Sequence, residues 1–203
     1  MSKMTPLDRI LLLATGLLAA YQVAVGVDGF SALPMIAYTI SFGVLLVAGL
    51  LLIILGFEAL DSPWVVIVST IIPLSLSLGL VWEHLAAYRG VYLLFSIAGF
   101  LAVVITRSFP MPGKLSVITL AIVHGIAGMV IFLLPILLAA QGSVPRGYAL
   151  IGVGGALIGA GGLLLSFLKA GKPILSKEII FKVLPGLLFL MTAAFVAGFA
   201  LAK

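Results

Sequence analysis

Seven long apolar runs, separated by short polar breaks, make up most of the chain: residues 7–27, 35–57, 64–85, 86–106, 115–140, 148–168 and 179–202. An α-helix rises 1.5 Å per residue, so about 20 apolar residues cross the roughly 30 Å hydrocarbon layer of a bilayer. Each run therefore predicts one transmembrane helix. The apolar stretch of the fourth, Val91–Ile105, is short and must borrow flanking residues such as Ala86–Tyr88 or Arg107–Ser108.

The breaks follow local chemistry. Asp28, Gly29 and Pro34 separate the first pair. Ser62 and Pro63 suit the N-cap and first position of the third helix. Pro110-Met111-Pro112-Gly113 and Gly142-Ser143-Val144-Pro145 interrupt the chain on either side of the fifth run. Gly171, Lys172 and Pro173 open the last loop, and Ser176 with Glu178 suits the start of the seventh helix. The weakest break is Arg89-Gly90; were runs three and four one re-entrant unit, the topology downstream would invert. The expected fold is all-α, a single integral membrane domain of about seven helices spanning 1–203, with every connection short.

Composition agrees. The chain is 64% hydrophobic and 8% charged, where a soluble domain carries about 25% charged residues. A mean hydropathy of +1.40 means that much of the surface faces lipid. With no cysteine, disulfides, Cys-ligated zinc, iron–sulfur clusters and thiol nucleophiles are excluded. The net charge of +5 is scattered among loops, with no basic stripe of the kind nucleic acid requires, so no nucleic-acid partner is expected.

Those charges instead set an expected orientation. Lys3, Arg9, Arg107, Lys114, Lys169, Lys172, Lys177 and Lys182 share one side, and Arg89, Arg146 and Lys203 the other. The positive-inside rule then places the N-terminus in the cytoplasm and the C-terminus outside, in what we expect to be a prokaryotic plasma membrane. The first run is long for a signal-peptide core, and no clean A-x-A site follows it, so it is expected to be retained.

Few residues could carry chemistry. The richest cluster is Trp82, Glu83, His84, Tyr88, Arg89 and Tyr92, around the third connection. A carboxylate beside an imidazole at a membrane surface suits proton exchange with a lipid-soluble carrier such as a quinol. The plainer reading is an interfacial aromatic belt. His124 falls within the fifth run, where an ionisable group is costly and a functional candidate: a buried polar anchor, a proton carrier, a quinone contact or a haem b ligand, with Gly125 and Gly128 allowing close approach. His84 and His124 are the chain's only histidines. Their expected depths differ by more than about 10 Å at the helical rise, which argues against one haem held by both.

In the sixth run Gly155 and Gly159 form a GxxxG pair, extended by Gly152, Ala156 and Ala160, a signal for close helix packing. Lys169, Lys172, Lys177 and Lys182 suit anionic headgroups, with Glu58 and Asp61 on the same side. Pro73, with Ser75 and Ser77, predicts a kink with locally satisfied carbonyls; Pro135 and Pro185 should bend helices likewise. No acid is expected deep in any helix, and no Ser–His–Asp or multi-histidine metal set can be assembled. These features favour a hydrophobic subunit or anchor of a larger membrane complex, of respiratory or other redox type, over a stand-alone enzyme. Its partners would be lipid and other membrane subunits; no cofactor is required, though haem b or a quinone would fit. The alternative is a carrier or channel with a polar cavity lined by Ser75, Ser77, His124 and Thr192.

Overall fold

A computed structural model describes residues 4–27, 29–169 and 173–202. Seven helices span these residues: α1 (Pro6–Val25), α2 (Ala32–Leu55), α3 (Pro63–His84), α4 (Arg89–Ser108), α5 (Leu115–Ala140), α6 (Ala149–Lys169) and α7 (Lys177–Ala200). All are long and apolar enough to cross a bilayer, and the chain is an integral membrane protein. Asp28, Gly171, Lys172, Lys3 and Lys203 of the sequence analysis lie outside the described residues.

The helix ends show why the breaks fall where they do. Thr5 and Asp8 form a capping box on α1: the Asp8 N–H donates to the Thr5 hydroxyl at 3.2 Å, and the Thr5 N–H to the Asp8 carboxylate at 2.7 Å. Gly26 and Gly56, at φ +71° and +72°, close α1 and α2 in a conformation that side chains disfavour. Pro34 was expected to precede α2 but lies in its first turn, where a missing N–H breaks no helical bond. The Ser176 hydroxyl accepts from the Ile179 N–H and caps α7. The weak break between α3 and α4 falls at Leu85, followed by a 3₁₀ turn over Ala86–Tyr88. Two separate helices result, and α4 reaches full length through Arg89 and through Thr106–Ser108.

Successive helices run antiparallel, so Met4 and Ala202, at the two ends of the described chain, lie on opposite faces. We call them the N-terminal face and the far face. Packing follows the order α1, α2, α3, α5, α6, α7 and back to α1, while α4 lies outside this ring against α3 and α5. The axis is filled by Tyr38, Phe42, Leu76, Leu80, Ile131, Ile151, Met191, Phe195 and Phe199. In α3, 61% of the apolar window is buried, against 17% in α5. So α3 is the spine, and α5 shows most of its surface to the outside.

Lipid tails are as apolar as leucine, so these contacts depend on close fit more than on escape from water. Glycines provide the fit. A Cβ on Gly152 would meet Ile136 and the Phe132 carbonyl at 2.6 Å, and one on Gly155 the α5 backbone at 2.9 Å. On the next face, Gly154 admits the Phe195 ring of α7. Gly159 has nothing within 4 Å, and both it and Ala156 are exposed. Of the GxxxG pair, Gly155 faces α5 and Gly159 faces outward. Gly155→Ala is therefore expected to destabilise the bundle by about 1–3 kcal/mol. Gly159→Ala should be neutral or stabilising, by up to about 1 kcal/mol of helix propensity. Equilibrium unfolding in mixed micelles would show the difference.

Candidate functional site

The chemistry gathers at the far face, where α3 ends, α2 begins and the α5–α6 connection returns. The sequence cluster divides there. Arg89 folds back on the preceding turn: its Nε–H donates to the Trp82 carbonyl at 2.5 Å, and its guanidinium lies 5.6 Å over the Trp82 ring. This caps the end of α3, where carbonyls lack helical partners. Tyr88 is exposed and sits at the level expected of an interfacial tyrosine. Tyr92 packs on Phe95 at 5.3 Å, and its buried hydroxyl has no hydrogen-bond partner.

Glu83 and His84 turn to different neighbours. The Ser31 N–H and hydroxyl both donate to Glu83 Oε2, at 3.4 and 3.1 Å. This ties the N-cap of α2 to the end of α3. His84 Nε2 shares a 2.8 Å hydrogen bond with the Tyr148 hydroxyl, and the two rings meet edge to face at 5.3 Å. Tyr148 stands in the 3₁₀ turn Arg146–Tyr148 that leads into α6 and is 1% exposed.

Tyr148 belongs to an aromatic cluster. Phe30 stacks over it at 6.5 Å and meets Tyr38 and Phe199 edge-on at 5.5 and 6.2 Å. Tyr38 and Phe199 touch at 4.6 Å. Tyr38 is 0% exposed. Its hydroxyl lies near that of Tyr148 without closing a hydrogen bond, and it has no other partner. Space for the Tyr38 ring exists because residue 79 is glycine: a Cβ there would meet the ring at 2.4 Å. A graded row of polar groups results: Glu83 at the rim, then His84, then buried Tyr148, then buried Tyr38. Sequence reasoning found the first two and missed Ser31, Tyr148 and Tyr38, whose contacts span 52, 64 and more than 100 positions of chain.

His124 lies on α5, on the other half of the bundle, with its buried Nδ1 closing no ideal hydrogen bond and its ring beside the Leu120 carbonyl one turn back. The two histidines occupy different helices and different levels, and His84 Nε2 is engaged by Tyr148, so they do not present a pair of axial haem ligands. Among the described residues no group of three or more His, Asp or Glu side chains could hold a metal ion. Ser77 and Thr192, candidates for a cavity lining, are fully buried. Their hydroxyls donate to Pro73 and Leu188 of their own helices at 2.6 and 2.8 Å. Ser75 does likewise to Ile71 at 2.6 Å. At the N-terminal face Asp61 and Lys177 line one recess of about 270 Å³ with Leu60, Leu165, Leu168 and Phe181, so the acidic and basic segments do meet there.

No protein-family model, curated protein or solved structure matches the chain.

The His84–Tyr148 bond can be weighed directly. In a double-mutant cycle of His84→Ala and Tyr148→Phe, the expected coupling is about 0.5–1.5 kcal/mol. A coupling indistinguishable from zero in micellar unfolding would mean that the pair is not held in membranes.

Proposed function

We propose that the chain is a membrane-embedded subunit of a larger complex, and that its far face binds a lipid-soluble, proton-exchanging carrier of the quinol type. The observation that carries this reading is the His84–Tyr148 hydrogen bond under Phe30, with Glu83 at the rim and the Tyr38 hydroxyl unpartnered behind it. A quinol headgroup is flat and apolar with hydroxyls at opposite edges. Aromatic walls suit its faces, and an imidazole or phenol hydroxyl suits its edges. His84 is the group of the row whose ring nitrogen can accept a proton, and Glu83, one position along, can pass it to water.

A quinol gives up electrons along with its protons. This chain offers groups for the protons only, so the electrons would leave through a redox centre on another subunit. That requirement, together with helices that expose small residues such as Ala121, Gly125, Ala156 and Gly159, supports a role inside an assembly. The carrier or channel reading has less support, because Ser75, Ser77 and Thr192 bond to their own helices.

A photoreactive quinone analogue should label the Ser31–Tyr38 or Arg146–Tyr148 segment in native membranes, with excess quinone competing. His84→Ala and Tyr148→Phe should each lower labelling by roughly two- to tenfold, the value of one or two lost hydrogen bonds. Labelling unchanged by both substitutions would refute the site. On native gels the chain should run within a larger complex; migration as a free monomer counts against the subunit reading.

The same reading places the far face outside. Among the described residues the N-terminal face carries Arg9, Arg107, Lys114, Lys169, Lys177 and Lys182, and the far face Arg89 and Arg146. With no native cysteine, single substitutions can test this cleanly. In intact cells Arg146→Cys should react with a membrane-impermeant maleimide, and Lys114→Cys only after the cells are opened.

A further inference from the structure

The recess at the N-terminal face lies at the opposite end of the bundle from His84. Its volume is about 270 Å³, and three segments line it: Leu60 and Asp61 from the 3₁₀ turn Gly56–Asp61 between α2 and α3, Leu165 and Leu168 from the end of α6, and Lys177 and Phe181 from the start of α7. The floor is firm. Phe181 is buried and stacks on Phe57 at 4.8 Å, with the two rings 17° from parallel. Ile180 and Leu184 belong to the same buried cluster, with Met4 and Leu164 packed against it.

The rim is charged, since Asp61 and Lys177 are both exposed. The Lys177 ammonium stands 5.3 Å over the Phe181 ring. Cation–π attraction holds it there, and an ammonium has three N–H donors, so some remain for a ligand. A carboxylate has about four acceptor sites, so Asp61 can take an added ammonium alongside the interactions it makes within the chain. Trp64, three positions beyond Asp61, is 66% exposed. A tryptophan so placed at the start of a transmembrane helix marks the headgroup level of the bilayer. The recess therefore opens among lipid headgroups, with its leucines on the hydrocarbon side. Beside it the outer face of α6 is apolar at exposed Leu163 and Phe167.

We propose that this recess binds the headgroup of phosphatidylethanolamine, with the phosphate on Lys177 and the ammonium on Asp61. One acid and one base over an apolar floor match a zwitterion. The volume lies below the roughly 300–1,000 Å³ of sites that enclose whole small ligands. It suits a headgroup, and the acyl chains would lie along α6 outside. The primary ammonium of ethanolamine can donate to Asp61, whereas the quaternary ammonium of choline has no N–H to give. A purely anionic headgroup would bring its charge against Asp61 and, in the same turn, Glu58. This site stands independently of the far-face reading.

The test is native mass spectrometry of the full-length chain in detergent. It is titrated separately with dioleoyl phosphatidylethanolamine, dioleoyl phosphatidylcholine, dioleoyl phosphatidylglycerol, and phosphoethanolamine, the headgroup without chains. The wild type should retain phosphatidylethanolamine roughly tenfold more tightly than either other lipid, the worth of one charge-assisted hydrogen bond. Asp61→Asn should reduce that preference to about twofold or less. Glu58→Gln removes an acid of the same turn that is not part of the lining, and should leave the preference unchanged. Equal retention of the three lipids by the wild type would overturn the site. So would a Glu58→Gln variant that loses the preference as fully as Asp61→Asn, which is the signature of diffuse surface charge. Phosphoethanolamine that binds alone and displaces phosphatidylethanolamine would overturn the lipid as its source. Should a variant fail to fold, the comparison of lipids on the wild type still decides.

Discussion

Inside a bilayer there is no water to finish a hydrogen bond, and that constraint orders this protein. Backbone groups are satisfied within each helix, and the polar side chains obey the same rule. Thr15, Thr70, Ser96, Thr106 and Thr192 all return their hydroxyls to a carbonyl four residues back on their own helix. Ser41 instead donates across to the Ile72 carbonyl at 3.1 Å, beside Pro73 within α3. Against so thorough an accounting the exceptions carry information. Buried side-chain atoms that close no hydrogen bond occur at Tyr38 and Tyr92 toward the far face, and at Arg107 and His124 in the α4–α5 hairpin.

Packing explains why the aromatic end can hold its polar groups at all. Four helices meet there through glycines that leave room for rings: Gly79 for Tyr38 and Gly154 for Phe195, with Gly198 against Ile151. A ring held on several sides loses little further freedom on contacting a flat ligand, which lowers the entropic cost of binding. The α4–α5 hairpin is built the opposite way, with α4 outside the ring and α5 largely bare. That part of the molecule is free to contact lipid or another chain, while Ser96, Thr106 and Ser116 bond to carbonyls within the hairpin.

The helices were legible in the sequence because bilayer thickness sets their length and Pro, Gly and Ser punctuate their ends. Even the doubtful junction near Arg89 resolved within a few residues, because α3 ends at His84 and a 3₁₀ turn absorbs the reversal. Which helices touch was not legible. Lipid-facing and protein-facing surfaces are both apolar, so no polar stripe marks the inner side of α5 or α6. The GxxxG pair shows this: close packing at Gly155 could be anticipated, while the outward position of Gly159 could not. At the far face, Glu83 and His84 stood out as neighbours in sequence. Tyr148 did not, since a tyrosine after Pro145-Arg146-Gly147 reads as an ordinary interfacial residue until the fold brings it to His84. Tyr38 reads as one more apolar position of α2 until Gly79 opens space for its ring.

Where the acids lie bears on what the far-face site can do. Asp8, Glu58, Asp61 and Glu178 sit at the N-terminal face and Glu83 at the far face, so among the described residues no carboxylate lies near the midplane. His124 does not substitute for one, because it stands on a helix apart from the Tyr38–Tyr148–His84 row and leans toward the other face. Moving protons across a membrane requires groups that hand them on through its centre. A row that begins at the rim and ends at a buried hydroxyl can only give protons back to the side from which it opens. One-sided exchange of this kind serves a carrier that itself diffuses through lipid, because the carrier supplies the crossing. On the proposed reading, the polar row at the far face and the bare middle of the bundle are parts of one arrangement: the protein would bind and exchange at the surface, and passage through the membrane would be left to the ligand.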